Sequence, residues 1–198
     1  MLFRSGTVTV IGHLADGTAF TYASGLNAEN SFPLHLPLYT RRGGFGGTLM
    51  FNTTAATRLE SAGLVWYRPP INGVFYPLGW PDGIAVGFDG SARNLVTAPN
   101  ALPVGTAALE FSEGGLDANG LSQPVTIKSG NRVPLPVPNP RTFAIVLRAT
   151  GAWGGSFFHP ITGRKCRFHG AVLDDRNEGA GFFLGGSESG RATFVPGP

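Results

Sequence analysis

The chain has 198 residues, of which 30 are glycine and 16 proline, about twice the usual combined share. Its 15 basic and 12 acidic residues leave a net charge of +3, and 42% of positions are hydrophobic. This composition excludes a disordered chain, a collagen-like repeat and a mainly helical fold: apolar content is high, glycine has no three-residue period, and glycine and proline are the poorest helix formers.

The first residues are unusual. Leu2-Phe3-Arg4-Ser5 is what the end of a common short-read sequencing adaptor encodes in one frame. Residues 1–5 are therefore expected to be an assembly scar, with natural sequence starting near Gly6 inside a longer parent chain. Thr7–Leu14 alternates like a strand, Ala15–Thr18 is a hairpin turn with Asp-Gly where positive φ is needed, and Ala19–Ser24 returns. Phe32–Thr40 reads as a strand whose prolines, Pro33 and Pro37, belong at an edge or bulge. Strands are expected at Phe45–Thr53, Gly63–Arg68 and Val74–Pro77, with Thr54–Ser61 the best helix candidate at one or two turns. In the second half, Ala107–Ser112, Pro124–Lys128, Thr142–Ala149, Gly155–His159, Lys165–Leu173, Gly181–Leu184 and Arg191–Val195 read as strands. Pro160–Arg164 is a strong turn signal between two of them.

Several segments recur in order. GGFGGTLMF at 43–51 aligns with GAWGGSFFH at 151–159, GLVW at 63–66 with GAVL at 170–173, and NGVFYPLG at 72–79 with EGAGFFLG at 178–185. The offsets drift from 108 to 106, as expected of two diverged copies with small loop changes. In both copies an aromatic (Phe45, Trp153) precedes Gly-Gly, a place where backbone can bend or another backbone can approach closely. The expected organisation is a first β repeat over 6–95, a linker over 96–105 and a second β repeat over 106–198. The fold class is all-β, an internally duplicated antiparallel meander of about 10–14 strands, forming two small related β-barrels or one larger closed barrel or sandwich.

The second copy, TGAWGGSFFHPITGRKCRFHGAVLDDRNEGAGFFLGGSESGRATF, and the opening segment HLADGTAFTYASGLNAENSFPLHLPLY carry a recognisable pattern. It resembles the C-terminal β-rich module of large secreted or surface multidomain proteins from Verrucomicrobia- and Planctomycetes-type bacteria. The shared motifs are turn glycines and core aromatics, so the resemblance implies fold and context rather than chemistry. It implies a secreted or cell-surface location, with the other domains of the parent chain as partners.

Residues with chemical potential are few. The cations are scattered, Arg164, Lys165 and Arg167 being the nearest to a cluster, so no nucleic-acid partner is expected. No apolar run is long enough to span a membrane, and Met1–Arg4 is not followed by the apolar core of a signal peptide. Cys166 is the single cysteine, which excludes an internal disulfide; alternation places it with Phe168 on an inner strand face and His169 on the opposite one. His159 and His169 could approach across the 160–164 hairpin, although a surface position at a strand end is expected for one of them. Asp117–Gly120, with Glu110 and Glu113 nearby, is oxygen-rich but lacks the spacing of a calcium loop. No metal and no cofactor is expected. No G-x-S-x-G, phosphate loop or facing carboxylate pair is present.

The aromatics remain. Trp66, Tyr67, Tyr76 and Trp80 lie close in sequence with Arg68 among them. They can fill a β core, or they can form a platform for a sugar ring with polar neighbours. The expected function is a non-enzymatic structural or adhesive module of an extracellular bacterial multidomain protein. The alternative is a carbohydrate-binding module for cell-surface glycans, with Trp66, Arg68, Tyr76 and Trp80 as the ligand-binding residues. A hydrolase is a third reading that no motif supports.

Overall fold

The computed structural model describes residues 2–4, 6–52, 58–135, 137–139 and 141–197. The protein is all-β, with fifteen strands among the described residues, where 10–14 were expected. It divides into two compact units, Met1–Ala92 and Arg93–Pro198.

The first unit opens on three strands, β1 (Leu2–Arg4), β2 (Thr7–His13) and β3 (Ala19–Gly25), paired in that order. β1 lies within the segment expected to be an assembly scar and pairs antiparallel with Thr7–Thr9. The β2–β3 turn forms where Asp-Gly predicts it: Gly17 has φ +87°, and Asp16 Oδ1 accepts the Thr18 N–H at 3.0 Å. β4 (Ser31–Leu38), β5 (Gly43–Asn52), β6 (Arg58–Arg68) and β7 (Trp80–Ala85) form a meander, and β8 (Asp89–Ser91) pairs the other end of β6. Strict alternation in β4 buries Phe32, Leu34, Leu36 and Leu38 and leaves Pro33, His35 and Pro37 exposed. β4 is a sheet edge, which is why two prolines cost it little. The two sheets share one core: Val8 and Leu14 pack with Phe32, Leu49, Leu64 and Trp66.

The second unit is built on one seven-stranded antiparallel sheet. Its strands are β9 (Gly105–Glu113), β10 (Leu121–Ile127), β11 (Ala144–Leu147), β12 (Ala152–Phe158), β13 (Lys165–Leu173), β14 (Glu178–Leu184) and β15 (Ser189–Pro196). The order across the sheet is β10-β9-β15-β14-β13-β12-β11. β9 and β12 are four places apart, about 19 Å in a flat sheet. Yet Phe111 of β9 and Phe157 of β12 have ring centroids 4.6 Å apart. The sheet therefore curls into a half-barrel around its own aromatic core, in which Phe111, Phe157, Phe168, Phe183 and Phe194 are almost wholly buried. Each such side chain contributes about 1.5–3 kcal/mol by leaving water.

Glycine makes the curl possible at Gly155. A Cβ there would stand 1.8 Å from the Ala144 carbonyl oxygen and 2.6 Å from the Phe168 ring. Its counterpart Gly47 sits at the bulge between β5 and β6 with φ +146°. The paired glycines thus do in both units what the sequence predicts, bending one strand and admitting close backbone in the other.

Other expectations differ from the fold. Arg58–Ser61 is β6 strand rather than helix, and Thr53 and the 54–57 part of that expectation lie outside the described residues. Val74–Pro77 is loop, because its proline-rich surroundings supply turns and no partner strand. The matched segments 72–79 and 178–185 are therefore loop and strand respectively. Gly46 faces Val65, whereas Gly154 faces His169, so the ladders set Val65 against His169 rather than Val172. The first unit runs β1-β2-β3 and then a four-strand meander, whereas the second runs a hairpin and then a five-strand meander, β11 to β15. Residues 96–105, expected as a linker, belong to the second unit, where Ala101 and Leu102 are buried in the aromatic core. Arg93 gathers that segment by donating to the carbonyls of Ala98, Asn100 and Ala149 and pairing with Asp174 at 2.7 Å.

Candidate functional site

The four residues singled out by sequence, Trp66, Arg68, Tyr76 and Trp80, are brought together in the first unit. β6 carries Trp66 and Arg68 on its inner face, and β7 starts with Trp80 opposite Arg68 in the ladder. Trp66 and Trp80 meet edge to face at 4.6 Å, and Tyr76 meets Trp80 at 5.2 Å. Trp66 and Arg68 are buried, at 5% and 6% exposure, so neither presents a face to solvent.

Two residues complete the cluster. Asp16 comes from the β2–β3 turn and Tyr39 from the turn after β4. Asp16 Oδ2 accepts the Tyr39 hydroxyl at 2.7 Å and Arg68 Nε at 3.0 Å. The Tyr39 oxygen accepts Trp66 Nε1 at 3.0 Å. The remaining Arg68 donors go to the carbonyls of Phe75, at 3.0 Å, and Tyr76. The guanidinium also lies 5.5 Å from the Tyr39 ring centre and 5.9 Å from that of Trp80, within cation–π range. Tyr39, Thr40 and Arg41 all have φ between +54° and +67°. A left-handed run of non-glycine residues is disfavoured by roughly 1–2 kcal/mol each. The Tyr39 hydrogen bonds to Asp16 and Trp66 hold that turn in place.

Protonation follows from this geometry. Burial pushes the Asp16 carboxyl up, but hydrogen bonds from Tyr39, Thr18 and Arg68 outweigh it and hold the carboxyl below its ordinary range. Burial and the adjacent Asp16 charge push the Tyr39 phenol well up. Asp16 is thus ionised and Tyr39 neutral at physiological pH. The Asp16–Arg68 pair and the Tyr39 hydroxyl are satisfied by one another and by nearby backbone, which suits holding two loops together, whereas the Trp80 indole N–H is buried without a hydrogen-bond partner among the described residues.

No protein-family model, curated protein or solved structure matches this chain. Its site is therefore read from its own residues.

Of the two histidines beside the 160–164 hairpin, His159 is buried, at 1% exposure, and His169 is half-buried. His159 Nδ1 accepts the N–H groups of Ile161 and Thr162 at 3.3 and 3.4 Å, and Nε2 reaches the Gly114 carbonyl at 3.3 Å. Nε2 therefore carries the proton, and the imidazole ties the β12–β13 turn to the turn after β9. His159 faces Arg164 across the hairpin while His169 faces Gly154, so the two histidines do not form a pair. Cys166 is buried beside Phe168 as alternation predicts, and burial pushes its thiol up. Asp117 Oδ1 accepts the Asn119 N–H at 3.1 Å in a tight turn. Among the described residues no three His, Cys, Asp or Glu side chains converge on a metal-sized site. Nor is any described helix long and apolar enough to cross a membrane.

Sequence reasoning missed Asp16 and Tyr39. Asp16 is absorbed by its turn motif, and Tyr39 reaches the cluster through a backbone conformation that no residue type there announces.

Proposed function

We propose that the chain is a non-enzymatic structural or adhesive module of an extracellular bacterial multidomain protein, standing at or near that protein's C-terminus. The observation that carries this reading is how the chain spends its reactive side chains. Arg68, Asp16 and Tyr39 bind one another, His159 binds three backbone groups, and Cys166 fills the core. Groups committed to internal bonds lend rigidity to turns and make poor acids, bases or nucleophiles. The partners in this reading are the other domains of the parent chain. Nucleic acid and cofactors have no part in it.

A second reading, binding of cell-surface glycans, has one observation in its favour. Tyr67 points away from Trp66 and Arg68 and is 46% exposed. Gly44 stands opposite it on β5, and Gly83 leaves room for its ring on the other side. A half-exposed aromatic above glycines is a flat surface on which a sugar ring can stack. The platform would then be Tyr67, with Trp66, Arg68, Tyr76 and Trp80 supporting the fold beneath it.

A glycan array probed with the full chain, alongside a panel of chromogenic glycoside and ester substrates, tests both. The structural reading expects no specific array signal and no turnover. A specific signal abolished by Tyr67→Ala, with the circular dichroism spectrum unchanged, establishes the glycan reading instead. Turnover that survives repurification would overturn both.

A further inference from the structure

The half-barrel has two edges, β10 and β11, and they are treated differently. Gly197 donates to the Thr106 carbonyl at 2.7 Å, so even-numbered residues of β9 bond toward β15 and odd-numbered ones toward β10. Val125 faces Ala107 and bonds to β9, which turns Pro124 outward, where it has no N–H to offer. Gln123 Nε2 covers the Pro124 carbonyl at 2.9 Å, and Lys128 N–H donates to Arg132 at 2.8 Å, folding the chain back on itself. These features interrupt pairing along the β10 edge at Pro124 and at its end.

Among the described residues, β11 has β12 as its one strand neighbour. Arg148 N–H donates to the Ala152 carbonyl at 2.9 Å, so alternation commits Val146 and Ala144 to β12 and turns the backbone of Phe143, Ile145 and Leu147 away from it. Phe143 is capped: Asn139 Oδ1 accepts its N–H at 2.9 Å and Nδ2 donates to its carbonyl at 3.0 Å, as a neighbouring strand would. Ile145 and Leu147 instead line a groove of about 420 Å³ whose opposite wall includes Lys128, Asn131, Arg132 and Pro134.

The two charged residues that line this groove, Lys128 and Arg132, are both basic. Residues 118–173 contain seven lysines or arginines and no aspartate or glutamate. Lys128 and Arg132 stand exposed on the groove wall, and Arg148 follows β11 directly.

We infer that the β11 edge at Ile145 and Leu147 accepts one extended, acidic peptide segment of a partner protein, added as an eighth strand in the groove. Backbone hydrogen bonds to Ile145 and Leu147 supply the pairing, and Lys128 and Arg132 select carboxylate side chains on the incoming strand. The inference stands whichever functional reading above is right.

The test is fluorescence anisotropy of the full chain with a labelled peptide of alternating glutamate and valine. Saturable binding is expected, weakened about tenfold or more by roughly 0.5 M salt. Backbone N-methylation through the peptide's central residues should cost at least about tenfold, because it removes the donors while keeping the charge. The Lys128→Glu/Arg132→Glu variant should lose a similar factor; both side chains are exposed, and an unchanged circular dichroism spectrum verifies its fold. Equal binding of the N-methylated peptide, or displacement by polygalacturonate at matched charge, would overturn the inference in favour of a plain polyanion surface. Absence of binding by the parent peptide up to about 1 mM would overturn it outright.

Discussion

Arg68 Nε donates to Asp16 Oδ2 at 3.0 Å, joining positions 52 residues apart, and both side chains are almost fully buried. A pair taken out of water stabilises only if its remaining donors and acceptors are also met. Here they are, by Tyr39, Thr18 and the carbonyls of Phe75 and Tyr76. The bond therefore fastens the β2–β3 turn to the end of β6, and with it the aromatic cluster that sequence reasoning offers as a ligand site.

Removing one partner should be costly. Arg68→Met leaves Asp16 buried and unpaired, and a loss of about 3–5 kcal/mol is expected for the first unit. Hydrogen exchange at β5 and β6 amides reads it locally, so the second unit serves as an internal control. Adding Asp16→Asn to Arg68→Met should recover part of the loss, because the orphaned charge is then gone. A single variant as protected as the natural chain would refute the pair's role.

The cluster also fixes a pH window. Asp16 is held below its ordinary value of 3.8, so its contribution is complete above that value and fades as pH falls through its folded value. Tyr39 is raised above its ordinary 10.0, so its contribution is complete below pH 10 and fades as pH rises beyond it. The first unit should therefore melt at a nearly constant temperature between these limits, as far as these two groups decide it. Near-ultraviolet circular dichroism across the range measures this. Asp16→Asn should flatten the acid limb and Tyr39→Phe the alkaline one.

In the second unit, Gly155→Ala should prevent the half-barrel from closing. The added methyl meets the Ala144 carbonyl oxygen and the Phe168 ring, neither of which can move without breaking the β11–β12 ladder or the core. Gly163→Ala is the control. That position has φ +65° but open space around it, so about 1–2 kcal/mol is expected. Urea melts of the two variants, followed by Trp153 fluorescence in a chain carrying Trp66→Phe and Trp80→Phe, should differ clearly.

Cys166 should resist thiol reagents in the folded protein. It is 2% exposed, and burial pushes its thiol up, so the thiolate is both scarce and shielded. Labelling with a chromogenic disulfide should be slow in buffer and become complete on unfolding in guanidinium. Rapid labelling of the native chain would show that β13 opens readily.

Much of the fold is legible in the sequence because it depends on neighbours. Alternation marks β2, β3, β4, β9 and β13 nearly to their ends, since side chains on a strand simply take opposite faces. The Asp-Gly turn at 16–17, the edge prolines of β4 and the inward cysteine follow from the same local rules. Repetition marks Gly47 and Gly155, because glycine is required where a strand bends or meets backbone. The short strands β1, β7 and β8 are not legible: their ladders come from β2 and β6, not from their own residues.

The candidate site divides along the same line. Sequence proximity collects Trp66, Arg68, Tyr76 and Trp80, and that gathering is correct. Whether those aromatics face water or one another depends on Asp16 and Tyr39, which lie 52 and 29 positions before Arg68 and arrive only when the turns fold over. By itself, then, the sequence determined an all-β chain rich in turns, with its strand faces and glycine bends. Tertiary structure alone decided that the aromatics close over a buried ion pair, that His159 is interior, and that the backbone of Ile145 and Leu147 turns away from β12. Each of those outcomes rests on hydrogen bonds between distant residues, whose partners no local pattern names.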